Sequence, residues 1–182
     1  GVALRGGKFM LREGLTRMEA YEPDKVEAFY PILLEAYAQA IADHTVLYPG
    51  AMDAVETLKS LGYGVGICTN KPEHLAIQLL TELDVLDALG AWVGANTRPV
   101  RKPDPAPLLE TERRLGGDPA RCLLVGDSDT DRNTAKAANV PSVLVTFGPS
   151  GDDMAALEPE ALLEDFAALP TVVQSLIGSA RT

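Results

Sequence analysis

Apolar residues recur with a helical spacing near the start of the chain. Between residues 24 and 43 they fall every three or four positions, which predicts one amphipathic helix, capped by Asp24 with Glu27 three residues later. A weaker helical pattern, interrupted by two glycines, covers residues 3–18. Residues 1–44 are therefore predicted to form a small helical domain.

From residue 45 onward, short apolar runs alternate with helical patterns. Uninterrupted apolar runs are typical of strands buried on both faces, and strands that alternate with helices predict a parallel sheet. We therefore expect an α/β domain over residues 45–182, with helices on both faces of one parallel sheet. The predicted strands are 63–69, 91–95, 122–126 and 142–147, and the predicted helices are 51–61, 72–83, a segment ending at 115, 130–138, 160–166 and 171–177.

Composition and charge narrow the classes of partner. The chain has 182 residues, of which 46% are hydrophobic, and a formal net charge of −10. This negative field repels phosphate backbones and anionic lipids, so we expect neither a nucleic-acid nor a membrane partner. No apolar stretch approaches the roughly 20 residues that span a bilayer, and no signal-peptide pattern occurs. Cys68 and Cys122 lie singly in apolar runs, which favours buried thiols in a reduced, cytoplasmic protein.

Three loops that follow predicted strands carry candidate chemistry, because ligands of open parallel sheets bind at the carboxyl ends of the strands. The first loop is "CTNK". Thr69 ends a strand and Pro72 opens a helix, so the Thr69 hydroxyl and the N–H groups of Asn70 and Lys71 can form a phosphate cradle. An ordinary capped turn explains the same residues equally well.

The second loop, "RKPDP", holds Lys102. Pro103 and Pro105 restrict their own backbones and those of the preceding residues, so Lys102 sits on a stiff, extended segment. A lysine held in this way can project its ammonium into a site at low entropic cost. Taken alone, a solvated surface lysine is the simpler interpretation.

The third loop follows the apolar run in "CLLVGDSDTD". A helix N-cap explains Asp129, but it leaves Asp127 beside like charges and in need of a cation. A hard divalent ion such as Mg²⁺ fits, with Asp127 as a ligand and Asp131 as a second candidate. The pattern also begins like a calcium loop, but Arg132 and Ala138 stand where that loop requires glycine and glutamate.

The order of these three loops resembles a known family. The stretches "LYPGAMDAVETLKSLGYGVGICTNKP", "RKPDPAPL" and "LLVGDSDTDRNTAKAANVP" are similar to three ordered motifs of the haloacid dehalogenase superfamily of phosphatases, most closely its phosphoglycolate phosphatase-like branch. The resemblance implies a Rossmann-like three-layer α/β/α parallel sheet as the core, at residues 45–182. It also implies that residues 1–44 are part of a helical cap domain.

The resemblance assigns a role to each marked residue. Thr69 would hold the transferring phosphoryl group with Asn70 beside it, and Lys102 would offset negative charge. Asp127 would bind Mg²⁺, and Asp131 would orient Lys102 or support the metal. The implied reaction is hydrolysis of a small phosphorylated metabolite, most closely 2-phosphoglycolate, through an aspartyl-phosphate.

The family's nucleophile motif, D-x-D-G-T, does not occur in this chain. In the family's strand order, the strand that carries it lies between the strands ending at Thr69 and Asp127. Without it, backbone groups in the middle of the sheet would be exposed. We therefore expect the natural protein to carry a catalytic strand before Gly1, which has been removed from this chain. The alternative is that this segment is naturally absent.

Several alternatives remain open at this stage. Arg5 and Lys8 are candidate contacts for a substrate carboxylate, although solvated charges on the cap explain them more simply. A phosphatase or phosphomutase for another small metabolite fits the same motifs. A catalytically inactive homologue that binds a ligand or partner fits if the chain is naturally this short. The sequence is compatible with a monomer or a homodimer.

Overall fold

The computed structural model describes residues 6–149 and 151–180. The chain divides into two compact units, residues 1–45 and 46–182. In the described parts of both units, no helix combines the length and the apolar character that crossing a bilayer requires.

The first unit is a pair of packed helices, α1 (Gly7–Arg17) and α2 (Pro23–Gln39). The predicted cap at Asp24 is wrong: Glu22 is the N-cap residue, and Asp24 lies in the first turn of α2. Proline is favoured at the first helical position, because its missing N–H would have no partner there, and Pro23 therefore sets the start one residue earlier.

The second unit alternates helices and strands, as predicted from the pattern. Short 3₁₀ turns cover Leu86–Ala88, Pro119–Arg121, Gly151–Leu157 and Phe166–Ala168. The regular elements in chain order are α3 (Ala51–Ser60), β1 (Gly66–Cys68), α4 (Glu73–Glu82), β2 (Ala91–Val93), α5 (Ala106–Leu115), β3 (Leu124–Gly126), α6 (Asp129–Ala138), β4 (Ser142–Val145), β5 (Ala161–Leu163) and α7 (Leu169–Ile177).

Every strand pair in the described residues is parallel, which confirms the predicted α/β class. β1 pairs with β2, with Gly66 opposite Ala91. β3, β4 and β5 form a second sheet in that order, with Leu124 opposite Ser142. Within residues 6–149 and 151–180, no pairing joins β1 to β3, which is where the family resemblance places a further strand.

Two apolar clusters lie on opposite sides of these strands. One packs α3 and α7 against β4 and β5, and the other packs α5 and α6 against β3. Helices thus cover both faces, as a three-layer α/β/α arrangement requires. Cys68 and Cys122 are free, half-buried thiols beside the second cluster, and burial raises the pKa of Cys122 to about 11.

The predicted helix over residues 160–166 is wrong, because this segment contains strand β5. Leu163 is 1% exposed within the first cluster, and Leu162 lies opposite Leu144 of β4. The Ser142 N–H donates to the Glu160 carboxylate at 2.7 Å, which ties the start of the segment to the neighbouring strand. Pairing and burial at the edge of the sheet thus override a weak local helical preference.

Candidate active site

The end of β1 positions Thr69 at the edge of the sheet. The Thr69 N–H donates to the carbonyl oxygen of Val93 at 2.9 Å, which continues the pairing with β2 by one residue. The Thr69 hydroxyl accepts a hydrogen bond from the Lys71 N–H at 3.1 Å. The predicted cradle is therefore only partly available, because this turn uses the Lys71 N–H internally.

Lys102 points back into the protein. Its ammonium donates to the carbonyl oxygen of Cys68 at 2.9 Å and to Oδ1 of Asp131 at 2.6 Å, and its side chain is only 11% exposed. The Asn70 amide donates to the carbonyl oxygen of Lys102 at 3.0 Å. Residues at and just after the end of β1 therefore bind both the backbone and the side chain of Lys102. The interpretation of Lys102 as a solvated surface lysine is therefore wrong.

Asp131 lies in the first turn of α6 and is fully hydrogen-bonded. Besides Lys102 on Oδ1, its Oδ2 accepts from the Ser128 hydroxyl at 2.6 Å and from the Asp127 N–H at 3.2 Å. Its side chain is 8% exposed. Three donors fix the position of this buried carboxylate, and the carboxylate in turn orients the ammonium of Lys102.

Asp127 follows β3 directly and is half-buried. Burial raises the pKa of Asp127 above its ordinary value, and the negative charge of Asp131 adds to this effect while Lys102 opposes it. Burial away from water therefore disfavours the ionised carboxylate of Asp127 more than the nearby charge of Asp131 does. A bound cation would offset both effects.

A divalent metal fits the donor set at Asp127. This carboxylate lines a cavity of about 190 Å³ together with Tyr48, Phe147 and Phe166. In the described residues, no group of three or more acidic, histidine or cysteine side chains could hold a metal ion by itself. Magnesium takes one or two carboxylates and completes its shell with water and phosphate oxygens, so Asp127 suits it as a ligand. Asp131 suits it less well, because Lys102, Ser128 and the Asp127 N–H already use its oxygens.

Of the two candidate cations in the first unit, Arg5 lies outside the described residues. Lys8 forms an ion pair with Glu27 at 2.7 Å, and its ammonium lies 5.2 Å from the centre of the Tyr30 ring. The charge of Lys8 is therefore partly satisfied within its own unit.

Two residues that position the site were missed by the sequence analysis. Ser128, not Asp129, caps α6, since its hydroxyl accepts from the Asp131 N–H. The spacing of Ser128 and Asp131 matches a capping box, and this signal was available in the sequence. Asn96, in the loop after β2, accepts from the Glu73 N–H at 2.8 Å through its side-chain oxygen, and no local pattern reveals this contact with the start of α4.

Known sequences support a family assignment. A family model described as "haloacid dehalogenase-like hydrolase" matches residues 3–139. A phosphoglycolate phosphatase of Rhodospirillum rubrum is 38% identical over 169 residues, which cover 93% of this chain and 70% of the relative. A phosphoglycolate phosphatase of Mesorhizobium japonicum is 36% identical over 165 residues, which cover 90% of this chain and 73% of the relative.

Solved structures share the fold. The crystal structure of a "predicted phosphoglycolate phosphatase" from Haemophilus somnus has a TM-score of 0.78 at 27% identity, and the match covers 88% of this chain and 72% of that one. A haloacid dehalogenase superfamily hydrolase from Geobacter sulfurreducens has a TM-score of 0.66 at 23% identity, covering 92% and 73% of the two chains. The motif order, the parallel α/β fold and these matches agree, and the chain belongs to the haloacid dehalogenase-like hydrolase family.

Proposed function

We propose that this protein is a Mg²⁺-dependent phosphatase that hydrolyses a small phosphomonoester, most closely 2-phosphoglycolate. The contact that carries the proposal is the buried pair of Lys102 and Asp131, which holds one ammonium between the carboxyl ends of β1 and β3. The names of the two curated relatives support the choice of substrate.

Each side chain has a task in this reaction. The Thr69 hydroxyl, which lies one residue beyond β1, binds a phosphoryl oxygen, and Asn70 supports the loop that carries Lys102. Lys102 stabilises negative charge as the phosphoryl group is transferred, while Asp131 keeps its ammonium in place. Asp127 would hold Mg²⁺, which supplies further positive charge for the phosphoryl oxygens.

The nucleophile is not among these residues, since no D-x-D-G-T stretch occurs between Gly1 and Thr182. We propose that an aspartate from outside this segment attacks phosphorus, that the alcohol leaves, and that water then hydrolyses the aspartyl-phosphate. This part of the proposal rests on the family resemblance.

Release of inorganic phosphate tests the proposal directly. The protein, expressed with the coding sequence upstream of Gly1, would be assayed with 2-phosphoglycolate, 3-phosphoglycerate, glucose 6-phosphate and glucose 1-phosphate, with Mg²⁺ or with EDTA. We expect 2-phosphoglycolate to be the preferred substrate and EDTA to abolish its turnover. Turnover that persists unchanged in EDTA would exclude the proposed chemistry, and interconversion of the glucose phosphates would indicate a phosphomutase.

A further inference from the structure

The helix that follows Thr69, α4, has no capping side chain in its own sequence. Its N-cap residue is Pro72, which makes no side-chain cap hydrogen bond. Because a proline side chain has no oxygen that could accept, the first N–H of the helix, at Glu73, needs an acceptor from elsewhere. Asn96, in the loop after β2, supplies it: its side-chain oxygen accepts from the Glu73 N–H at 2.8 Å.

The same loop also binds the side chain of Glu73. The Thr97 hydroxyl donates to the Glu73 carboxylate and accepts from the Gly94 N–H at 2.8 Å. Arg114 of α5 lies 3.4 Å from the same carboxylate. The two loop residues that bind Glu73, Asn96 and Thr97, are called the clasp below.

The end of β2 and the start of α4 pack closely against each other. A Cβ atom at Gly94 would overlap the nitrogen and Cα of Glu73 and lie 2.8 Å from its Cβ. Glycine therefore allows an approach here that any side chain would block. The clasp thus spans a contact between two backbone segments, in which there is little room for movement.

Hydrogen bonds connect this contact to the Thr69 hydroxyl. The Ala95 N–H donates to the carbonyl oxygen of Lys71 at 2.9 Å, and the Lys71 N–H donates to the Thr69 hydroxyl at 3.1 Å. A hydroxyl group that accepts one hydrogen bond keeps its own proton to donate. The Lys71 N–H therefore orients the Thr69 hydroxyl, and Lys71 itself lies between the bond from Ala95 and the clasped residue Glu73.

We propose that Asn96 and Thr97 are positioning residues for phosphate binding. By holding Glu73, they keep residues 69–72 in the conformation that presents the Thr69 hydroxyl to a phosphoryl oxygen. Neither residue needs to touch the substrate, because both act through Glu73 and Lys71. This inference rests on the proposed function for the role of Thr69, and it adds two residues on which that role depends.

Binding of inorganic phosphate measures this role without requiring turnover. With the protein prepared as for the phosphate-release assay, dissociation constants in Mg²⁺ would be determined by phosphorus NMR for the wild type, Asn96→Ala, Thr97→Val and Thr97→Ser. We expect Asn96→Ala and Thr97→Val each to weaken phosphate binding by about 3- to 10-fold, the usual effect of one lost hydrogen bond. Thr97→Ser keeps the hydroxyl and should bind like the wild type.

A matched control and a second measurement separate positioning from a general loss of stability. Asp118→Ala removes a hydrogen bond from the Ala120 N–H at 3.0 Å, at the amino ends of the strands, and should leave phosphate binding unchanged. Amide hydrogen exchange should accelerate by a larger factor at Lys71 than at Leu144, in β4, when the clasp is broken.

The opposite results would overturn the clasp. These are absence of phosphate binding by the wild type, wild-type affinity in Asn96→Ala or in Thr97→Val, an equal loss of affinity in Asp118→Ala or Thr97→Ser, or equal acceleration of exchange at Lys71 and Leu144. If the protein hydrolyses no phosphomonoester but both clasp variants bind phosphate more weakly, the hydrolase proposal fails and the clasp stands. Hydrolysis by the wild type, with unchanged phosphate affinity in either clasp variant, would remove the clasp and leave the hydrolase proposal.

Discussion

The ammonium of Lys102 lies 2.6 Å from Oδ1 of Asp131 and 2.9 Å from the carbonyl oxygen of Cys68. One side chain thereby connects the first turn of α6 to the end of β1, although no strand pairing joins β1 and β3 in the described residues. Because the side chains of Lys102 and Asp131 are 11% and 8% exposed, little water screens the pair. This ion pair holds the two halves of the candidate site together.

Removal of Lys102 should therefore leave Asp131 buried and unpaired. We expect Lys102→Met to lower the free energy of unfolding by about 3 kcal/mol or more, and Lys102→Met/Asp131→Asn to cost less than the sum of the two single changes. Urea unfolding of the four proteins measures this. As a control, Arg113→Ala breaks an exposed ion pair with Glu110, in which the arginine is 70% exposed, and should cost less than about 1 kcal/mol. Strictly additive effects at Lys102 and Asp131 would contradict the coupling.

Replacement of Asp127 tests the metal ligand. Asp127→Asn removes the half-buried carboxylate that we expect to bind Mg²⁺, whereas Asp129→Asn removes an exposed neighbour. We expect Asp127→Asn to weaken Mg²⁺-dependent phosphate release by more than about 100-fold, the upper end of the loss from an outer-shell partner. Asp129→Asn should change it little. Titration of activity with Mg²⁺ separates lost metal affinity from lost turnover, and comparable activity in the two variants would assign the metal elsewhere.

A side chain at Gly126 should displace Asp131. A Cβ atom at this position would overlap Cβ and Cγ of Asp131 and lie 2.6 Å from its Oδ2. We expect Gly126→Ala to lower the free energy of unfolding by about 1–3 kcal/mol, the usual cost of overpacking. Gly14→Ala is the control, because nothing lies within 4 Å of its added Cβ. Thermal unfolding distinguishes the two, and equal stability of both variants would show that Asp131 tolerates movement.

The free energy of unfolding should depend on pH through the ionisation of Glu160. Burial acts to raise the pKa of Glu160, but hydrogen bonds from the Ser142 N–H and hydroxyl and from Arg132 outweigh it, so its pKa lies below the ordinary 4.5. The carboxylate therefore stabilises the fold above about pH 4.5, and this contribution disappears as the pH falls through the lowered pKa. We expect Glu160→Gln to cost about 1 kcal/mol at pH 7.

Urea unfolding from pH 7 to pH 3 checks this dependence. The stability difference between Glu160→Gln and the wild type should shrink as the pH falls below about 4.5. Glu158→Gln serves as the control, because this nearby exposed side chain makes no hydrogen bond in the described residues. A difference that stays constant over this range would contradict the account.

Much of the fold follows from local patterns. The apolar runs and helical spacings of the second unit predicted the alternation of helices and parallel strands. Residue type also explains the end of α6, where Asn139 has φ 57°, because asparagine tolerates the left-handed conformation. Local patterns failed where a partner distant in sequence decides the structure. Residues 160–166 read as helical, yet β5 forms there because β4 offers a free edge and Leu163 fills the core.

In the candidate site, too, some features follow from the sequence and others depend on contacts between residues distant in the chain. The order of Thr69, Lys102, Asp127 and Asp131 along the chain predicts a phosphate and metal site, because parallel strands bring their carboxyl ends to one edge. The sequence left open whether Lys102 was a solvated surface residue. Only the packing of α5 and α6 beside β1 and β3 decided this.

By itself, the sequence determined the α/β class and the family motifs, and it supplied the residues that we propose carry the chemistry, since these depend on residue type and spacing along the chain. The tertiary structure decided which of the charged side chains form ion pairs and which do not. Lys102 is paired with Asp131 and Lys8 with Glu27, whereas Arg98 and Arg101 have no ion-pair or hydrogen-bond partner for their guanidinium groups among the residues that the structure describes. These outcomes depend on distances of a few ångströms between loops, because ion pairing and burial are set by what lies nearby in space.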